Sequence, residues 1–351
     1  MKVFFWTIAG IVGISLFYVF LKILSDYILY RKNEIESQED YNYLNAVLLI
    51  SFLVTGLLLF FGYNYFHESP FLPVNASVHG VYVDRMFWIT TALTGIVFLL
   101  TQILLFYFSY KYAKGKSNKA FYWKNNLYIE AIWFSVPTLA FIILFMTGNY
   151  YWNAINQGVS EDVLEIEILG EQFNWRVRYP GKDGKLGNYN FHYIDGINAM
   201  GLDLRDTNAY DDFMPVQLHL PRNKKVMLRI RSRDVIHSVY IPNLRVKMDA
   251  VPGMLTRFSF IPRYTTEEMK EITKNPDFNY EIACAELCGR NHFSMLLILV
   301  VEEEDDYQRW YNKQIPWLVR NSEYLVNVPA AGKEKARQTI EAFSGKIISN
   351  L

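Results

Sequence analysis

The chain changes character along its length, and the pattern of apolar positions marks where. Four uncharged apolar stretches run through 3–21, 43–66, 87–110 and 131–152. Each is close to the ~20 residues a helix needs to cross ~30 Å of hydrocarbon. Tyr107 and Tyr110 end the third, and Tyr150, Tyr151 and Trp152 end the fourth, as interfacial aromatic belts do. From residue 163 the long runs give way to short alternating ones: 163–169, 173–179, 216–220, 225–231, 235–241, 256–261, 279–285 and 295–301. Turn strings such as PGKDGKLGN, PRN and AVPGM separate them. Eight such runs with no helix between them predict an all-β sandwich rather than a parallel sheet. The expected fold is therefore a membrane α-helical anchor of four transmembrane helices followed by an all-β sandwich. Its segments are an extra N-terminal two-helix membrane region (1–66), a transmembrane hairpin (67–152), the sandwich (153–320) and a partly helical tail (321–351) to which the pattern assigns no role.

Charge sets the orientation. The 111–126 loop holds five lysines and no acid, the strongest cytoplasmic signal in the chain. The fourth span then carries the sandwich to the outer side. A cleaved signal peptide at 1–24 is the alternative. It lacks a small-x-small cleavage site, and its removal would put the lysine-rich loop outside. The expectation is an uncleaved anchor, with the sandwich periplasmic in a bacterial host.

Composition adds mainly exclusions. The formal net charge of zero and the 17% aromatic content average over two dissimilar halves. No basic stretch points to nucleic acid, no glycine-rich loop to phosphate, and no CxxCH string to a covalent haem. His67 and His79 fall in the 67–86 loop and the other four histidines in the sandwich, so the spans supply no haem ligand.

The chemistry gathers in CAELCGRNHFSML, which places Cys284, Glu286, Cys288, His292 and Met295 on one loop, with His237 upstream in RDVIHSVYIP. Alone, a CxxxC pair in an oxidising compartment reads first as a disulfide, and a lone strand histidine as a packed one. Thiolates, imidazoles and a thioether together select copper over hard cations. A second cysteine exceeds the needs of a single blue-copper site. Two bridging thiolates, one histidine per metal, Met295 on one and the Glu286 backbone carbonyl on the other would complete a two-copper centre. Spreading an electron over such a pair keeps reorganisation small.

These residues resemble the second subunit of the cytochrome c oxidase family over residues 85 to about 305. The resemblance rests on C-x-E-x-C-x-x-x-H-x-x-M, DVIHS, RVKMDAVPGM and the GLD...DD segment at 201–212. It implies a cupredoxin-like sandwich whose dinuclear copper centre accepts electrons from a cytochrome c. These would pass to haem in oxidase subunit I, where dioxygen is reduced and protons are pumped. It further implies that the Glu286 side chain binds magnesium or manganese at the subunit interface. Glu130, in YIEAIW, would stand at a proton-uptake channel, and Arg245 and Asp249 near the same interface. For Glu130 the bland alternative is a carboxylate snorkelling to the cytoplasm. Trp175 matches the second tryptophan of the family's Q-W-x-W string, but Phe173 stands where electrons usually enter. With the extra spans, this suggests a cytochrome domain held in a supercomplex, such as one with alternative complex III. The excess of six acids over bases in 151–306 would steer a basic partner. Half the weight on the acidic run 302–306 goes to a solvated strand end. The rival reading is a membrane-anchored copper-binding electron carrier or copper assembly factor. A copper-free quinol oxidase subunit would lack the ligands, and a nitrous oxide reductase would be soluble with a large further domain.

Overall fold

The computed structural model describes residues 38–66, 71–113, 121, 124–156 and 163–349, together with Tyr18, Lys22 and Leu24. The first expected span lies outside the described residues apart from Tyr18. Among them, three helices are long and apolar enough to cross a membrane. These are α1 (Gln38–Phe66), α2 (Gly80–Lys111) and α3 (Leu127–Asn156). Large apolar side chains such as Phe52, Ile96 and Phe141 stay exposed, as lipid-facing ones do. The hydroxyls of Ser51, Thr94, Ser109 and Thr138 each donate to a carbonyl four residues back, which satisfies them without water. Helix α2 begins seven residues before the apolar run, because Asp84 and Arg85 belong to its first turns although their charges end the hydrophobic pattern.

The chain forms two compact units, 1–72 with 87–143 and 73–86 with 144–351. Among its described residues the second holds nine strands: β1 (Leu164–Glu171), β2 (Asn174–Arg178), β3 (Leu218–Pro221), β4 (Val226–Ser232), β5 (His237–Ile241), β6 (Val246–Ala250), β7 (Thr256–Phe260), β8 (Tyr280–Cys284) and β9 (Leu296–Glu302). They make a four-stranded sheet, β2-β1-β4-β7, and a five-stranded sheet, β3-β9-β8-β5-β6. Pairing is antiparallel except for β1 with β4 and β3 with β9. Ile166, Ile168, Leu228 and Ile230 of the first sheet share one buried core with Val239, Ile241, Ile282 and Leu299 of the second.

Each of the eight alternating runs contains a strand. Three features correct the sequence reading. Strand β6 was not anticipated, because it is only five residues long, with Val246, Met248 and Ala250 facing inward between the charged Lys247 and Asp249. A helix does interrupt the strands: α4 (Thr266–Thr273) starts at a capping box in which Thr265 and Glu268 satisfy each other's backbone amides. The acidic run at 302–306 is only partly a strand end. After Glu302, residues Glu304, Asp305 and Asp306 open helix α5 (Glu304–Lys313), where carboxylates complement the positive end of the helix dipole.

The opposite face of β1 is also covered. Leu169 packs there with Met200, Leu202, Tyr210, Trp317, Leu318, Val328 and Ala336. These come from the 200–213 segment, from helix α6 (Trp317–Arg320) and from the tail that ends in helix α7 (Lys333–Ser349). Glu167 is fully buried on this face. It accepts from Arg231 Nε at 2.5 Å and from Arg178, whose Nη1 also donates to Asp212 at 2.8 Å.

Candidate metal centre

Strand pairing brings the candidate ligands together. Cys284 ends β8, Leu296 starts β9, and the connecting loop carries Glu286, Cys288, His292 and Met295. The loop is pinned at both ends: the Cys284 amide donates to the Met295 carbonyl, and the Ala285 amide to that of Ser238. Strand β5 pairs with β8 with Val239 opposite Cys284, which brings His237 to the same end of the sheet.

The resulting pocket is lined with soft donors. Cys284 Sγ lies 3.9 Å from Cys288 Sγ, 3.9 Å from His237 Nδ1 and 3.2 Å from the Glu286 carbonyl oxygen. Cys288 Sγ lies 3.6 Å from His292 Nδ1 and 3.9 Å from Met295 Sδ. The cysteines are free thiols, and both are buried with His237 and Met295. Donor atoms of His237, Cys284 and Cys288 all lie within 4.8 Å of one another and could hold a metal ion. Burial, reinforced by the neighbouring Cys284, pushes the Cys288 thiol up to about 11.

The next layer holds residues that the sequence reading did not single out. Asp234 Oδ1 meets His237 Nε2 at 2.8 Å, and its Oδ2 accepts the Gln172 amide at 2.7 Å. Burial works against the Asp234 charge, but the Gln172 amide and the imidazole outweigh it and hold the carboxyl below its usual range. The Gln172 side chain donates to the Cys288 carbonyl at 2.6 Å. Two glycines make room. A Cβ on Gly170 would lie 2.9 Å from the His237 ring, and one on Gly289, at φ +138°, would lie 3.0 Å from Phe173. The signals available in the sequence were the aspartate three residues before His237 and the glycine directly after Cys288.

The remaining candidates divide. Phe173 is half-buried beside Gly289. Trp175 is 3% exposed, its ring centroid 5.9 Å from that of His237 and its indole N–H without a partner among the described residues. The Glu286 side chain is exposed. Asp249 accepts from the Ser238 hydroxyl at 2.7 Å, and Arg245 grips Asp84 at 2.6 and 3.1 Å. Glu130 sits exposed in the first turn of α3, in the part of that helix that belongs to the other unit. Leu287 and Phe293, 80% and 81% exposed beside the ligands, also escaped the sequence reading.

Fold and pocket together define a membrane-anchored β-sandwich with a cluster of soft donors, able to hold a metal, at one end of a sheet. The sequence profile of the family "Cytochrome C oxidase subunit II, periplasmic domain" matches residues 164–303. An alternative cytochrome c oxidase subunit 2 from Bradyrhizobium diazoefficiens is 34% identical over 273 residues, covering 77% of this chain and 92% of that protein. A cytochrome c oxidase subunit 2 from Thermostichus vulcanus is 25% identical over 270 residues, covering 70% and 78%. The crystal structure of the periplasmic domain of subunit II from Bradyrhizobium japonicum is 24% identical, covers 44% of this chain and 95% of its own, and superposes with a TM-score of 0.30. The chain belongs to the cytochrome c oxidase subunit 2 family and is a subunit of a haem–copper oxidase.

Proposed function

We propose that this chain admits electrons to the oxidase through two copper ions held by His237, Cys284, Cys288, His292, Met295 and the Glu286 carbonyl. The carrying observation is that Cys288 Sγ has Cys284 Sγ, His292 Nδ1 and Met295 Sδ all within 3.9 Å. Paired thiols, imidazoles and a thioether in one buried pocket fit copper by softness and number. When bound, the copper pair supplies a one-electron centre between a cytochrome c and the haem of subunit I. The protein's part is to fix the donors: the sheet holds Cys284 and His237, Asp234 orients the imidazole, and Gln172 ties down the Cys288 carbonyl.

The finer reading extends this. Phe173 and Trp175 line the route by which electrons arrive, and the half-buried phenyl ring supports a donor held in place, a cytochrome c domain in a supercomplex such as one with alternative complex III. The exposed Glu286 carboxylate is able to reach a magnesium or manganese ion shared with subunit I, and Glu130 serves proton uptake. The anchor has four spans, with the copper-bearing domain (153–320) on the periplasmic side of a bacterial inner membrane. The segments 1–66, 67–152 and 321–351 are the extra helix pair, the hairpin and the tail.

Copper content and electron paramagnetic resonance of the purified full-length chain test the central claim. The expected result is two coppers per chain, with one unpaired electron split by two equivalent nuclei. One copper with a single-nucleus pattern would replace this reading with that of a mononuclear carrier. A copper-free Cys284–Cys288 disulfide that persists after reduction and reloading would reject both.

A further inference from the structure

Segment 73–86 and the sandwich belong to one compact unit, and the hydrogen bonds between them converge on the 242–245 turn, between β5 and β6. The Ala76 amide donates to the Asn243 carbonyl at 2.7 Å, the Asn243 side chain to the Val74 carbonyl at 3.0 Å, and the Ser77 hydroxyl to the Leu244 carbonyl at 2.7 Å. Beside the turn, the Val78 amide donates to the Ile261 carbonyl at 3.0 Å and the Arg263 amide to that of Ala76 at 2.8 Å. Arg245 closes the grip. Its Nε and Nη2 meet the two carboxylate oxygens of Asp84 at 2.6 and 3.1 Å. Its Nη1 donates to the Pro242 carbonyl at 2.6 Å, and Nη2 also to that of Pro73 at 2.7 Å. A guanidinium forked onto a carboxylate fixes direction as well as distance. The two side chains are only 10% and 23% exposed, so solvent screens the pair little. The Arg245 backbone sits at φ +54°, where glycine is favoured, so an arginine here works against its own backbone preference.

The gripped turn leads straight to the metal pocket. Val246 lies opposite Ile241 and Ala250 opposite His237, so β5 and β6 form one antiparallel ladder with Arg245 beside its near end and His237 at its far end. About 14 Å of strand separates Ile241 from His237. Ser238, next to His237, donates across the ladder to Asp249 at 2.7 Å. No loop intervenes, so a shift of the turn is carried to the imidazole and not absorbed. We propose that Arg245 and Asp84 are positioning residues for electron delivery. They lock the copper-bearing sheet to the start of α2 and hold the copper pair at a fixed reach from the haem of subunit I. This deepens the copper reading given above and rests on it. Parts of a chain joined by a modest polar contact move against each other by default. Electron transfer between buried centres falls steeply with distance, so a sheet released from α2 would spend only part of its time within reach.

The whole oxidase carrying Arg245→Gly tests this, because glycine takes the φ +54° backbone without strain and only the guanidinium is lost. Copper content, the paramagnetic resonance spectrum and the rate at which the donor reduces copper should match the wild type. The Ala76 and Val78 amides should exchange with solvent about 10- to 100-fold faster. Flash-initiated transfer from copper to haem should slow severalfold. Asp84→Asn should reproduce these results, and the double variant should add nothing, because each change removes the same link. Arg245→Lys keeps the charge and should recover part of the rate. An unchanged copper-to-haem rate in variants whose amides exchange faster would overturn the proposal, as would additive effects in the double variant. Copper lost from both single variants would also overturn it, by making the pair a support of the pocket itself. A wild-type protein without a two-copper signal would remove the copper reading and this proposal with it, a failure told apart from the others because it needs no variant.

Discussion

Asp234 Oδ1 faces His237 Nε2 at 2.8 Å, and this contact turns the opposite nitrogen of the ring toward Cys284 Sγ, 3.9 Å away. A carboxylate behind a ligating imidazole fixes both its tautomer and its direction. Asp234→Ala should therefore leave the sandwich folded but loosen copper about 10- to 100-fold, read by competition with a chelator. Unchanged affinity would show that the strand alone orients His237.

The raised Cys288 thiol has two consequences of opposite direction. Metal binding must displace its proton, so copper affinity should fall as pH falls, about tenfold per unit for each proton released. In the copper-free protein, a thiol raised from 9.0 to about 11 contributes stability that is complete below pH 9 and is lost as pH rises toward 11. Denaturant midpoints of the copper-free chain measured from pH 8 to 11 should decline, and Cys288→Ser should flatten that decline.

Under the tail, one arginine joins two acids. Arg178→Met would strand Glu167 and Asp212 without a shared cation and should cost about 3–5 kcal/mol in chemical unfolding. The two acids titrate in different windows. Burial pushes Asp212 up to about 7 against the pull of Arg178, so its contribution declines as pH rises from about 4 to about 7. Glu167 is also penalised by burial, but Arg178 and Arg231 hold it below the usual range, and its contribution is lost as pH falls through the acid range. Asp212→Asn should remove the decline between pH 4 and 7 and leave the acid limb in place.

Gly289→Ala tests how tightly the ligand loop is packed. The methyl group would meet Gln172 Nε2 at 2.9 Å and the Phe173 ring at 3.0 Å, on a backbone at φ +138° that side chains rarely adopt. The expected outcome is substoichiometric copper and a displaced Phe173. A normal copper spectrum would show that the loop can yield.

Phe173→Trp addresses the electron donor. If a tethered cytochrome domain compensates for the phenyl ring, the indole should raise turnover with soluble cytochrome c severalfold and leave copper content unchanged. Equal rates would mean that electrons arrive by another side chain.

The ligand string was legible because the loop keeps its donors close in sequence, and the strands because alternation records a buried face. What escaped follows from the same logic. Glu167 alternates with Ile166 and Ile168, so it reads as the wet face of β1, and nothing local reveals that Met200, Trp317 and Val328 cover that face. Helix α4 is only eight residues long, too short for a periodic signal, and its capping box was the available cue. Asp234 stood in the DVIHS string without a role of its own, because that role depends on Gln172, 62 positions earlier in the chain.

His237 and Cys284 are 47 residues apart, and only the pairing of β5 with β8 places them side by side. The metal site is therefore a product of tertiary structure, not a nucleus for it. Copper delivered before these strands join would find the loop's thiols, His292 and Met295 but not His237. Biogenesis should run in that order, sheet first and metal second, with the loading machinery meeting a finished receptor. Substitutions in β5 that displace His237 while the domain stays folded would then appear as weakened copper binding and not as unfolding.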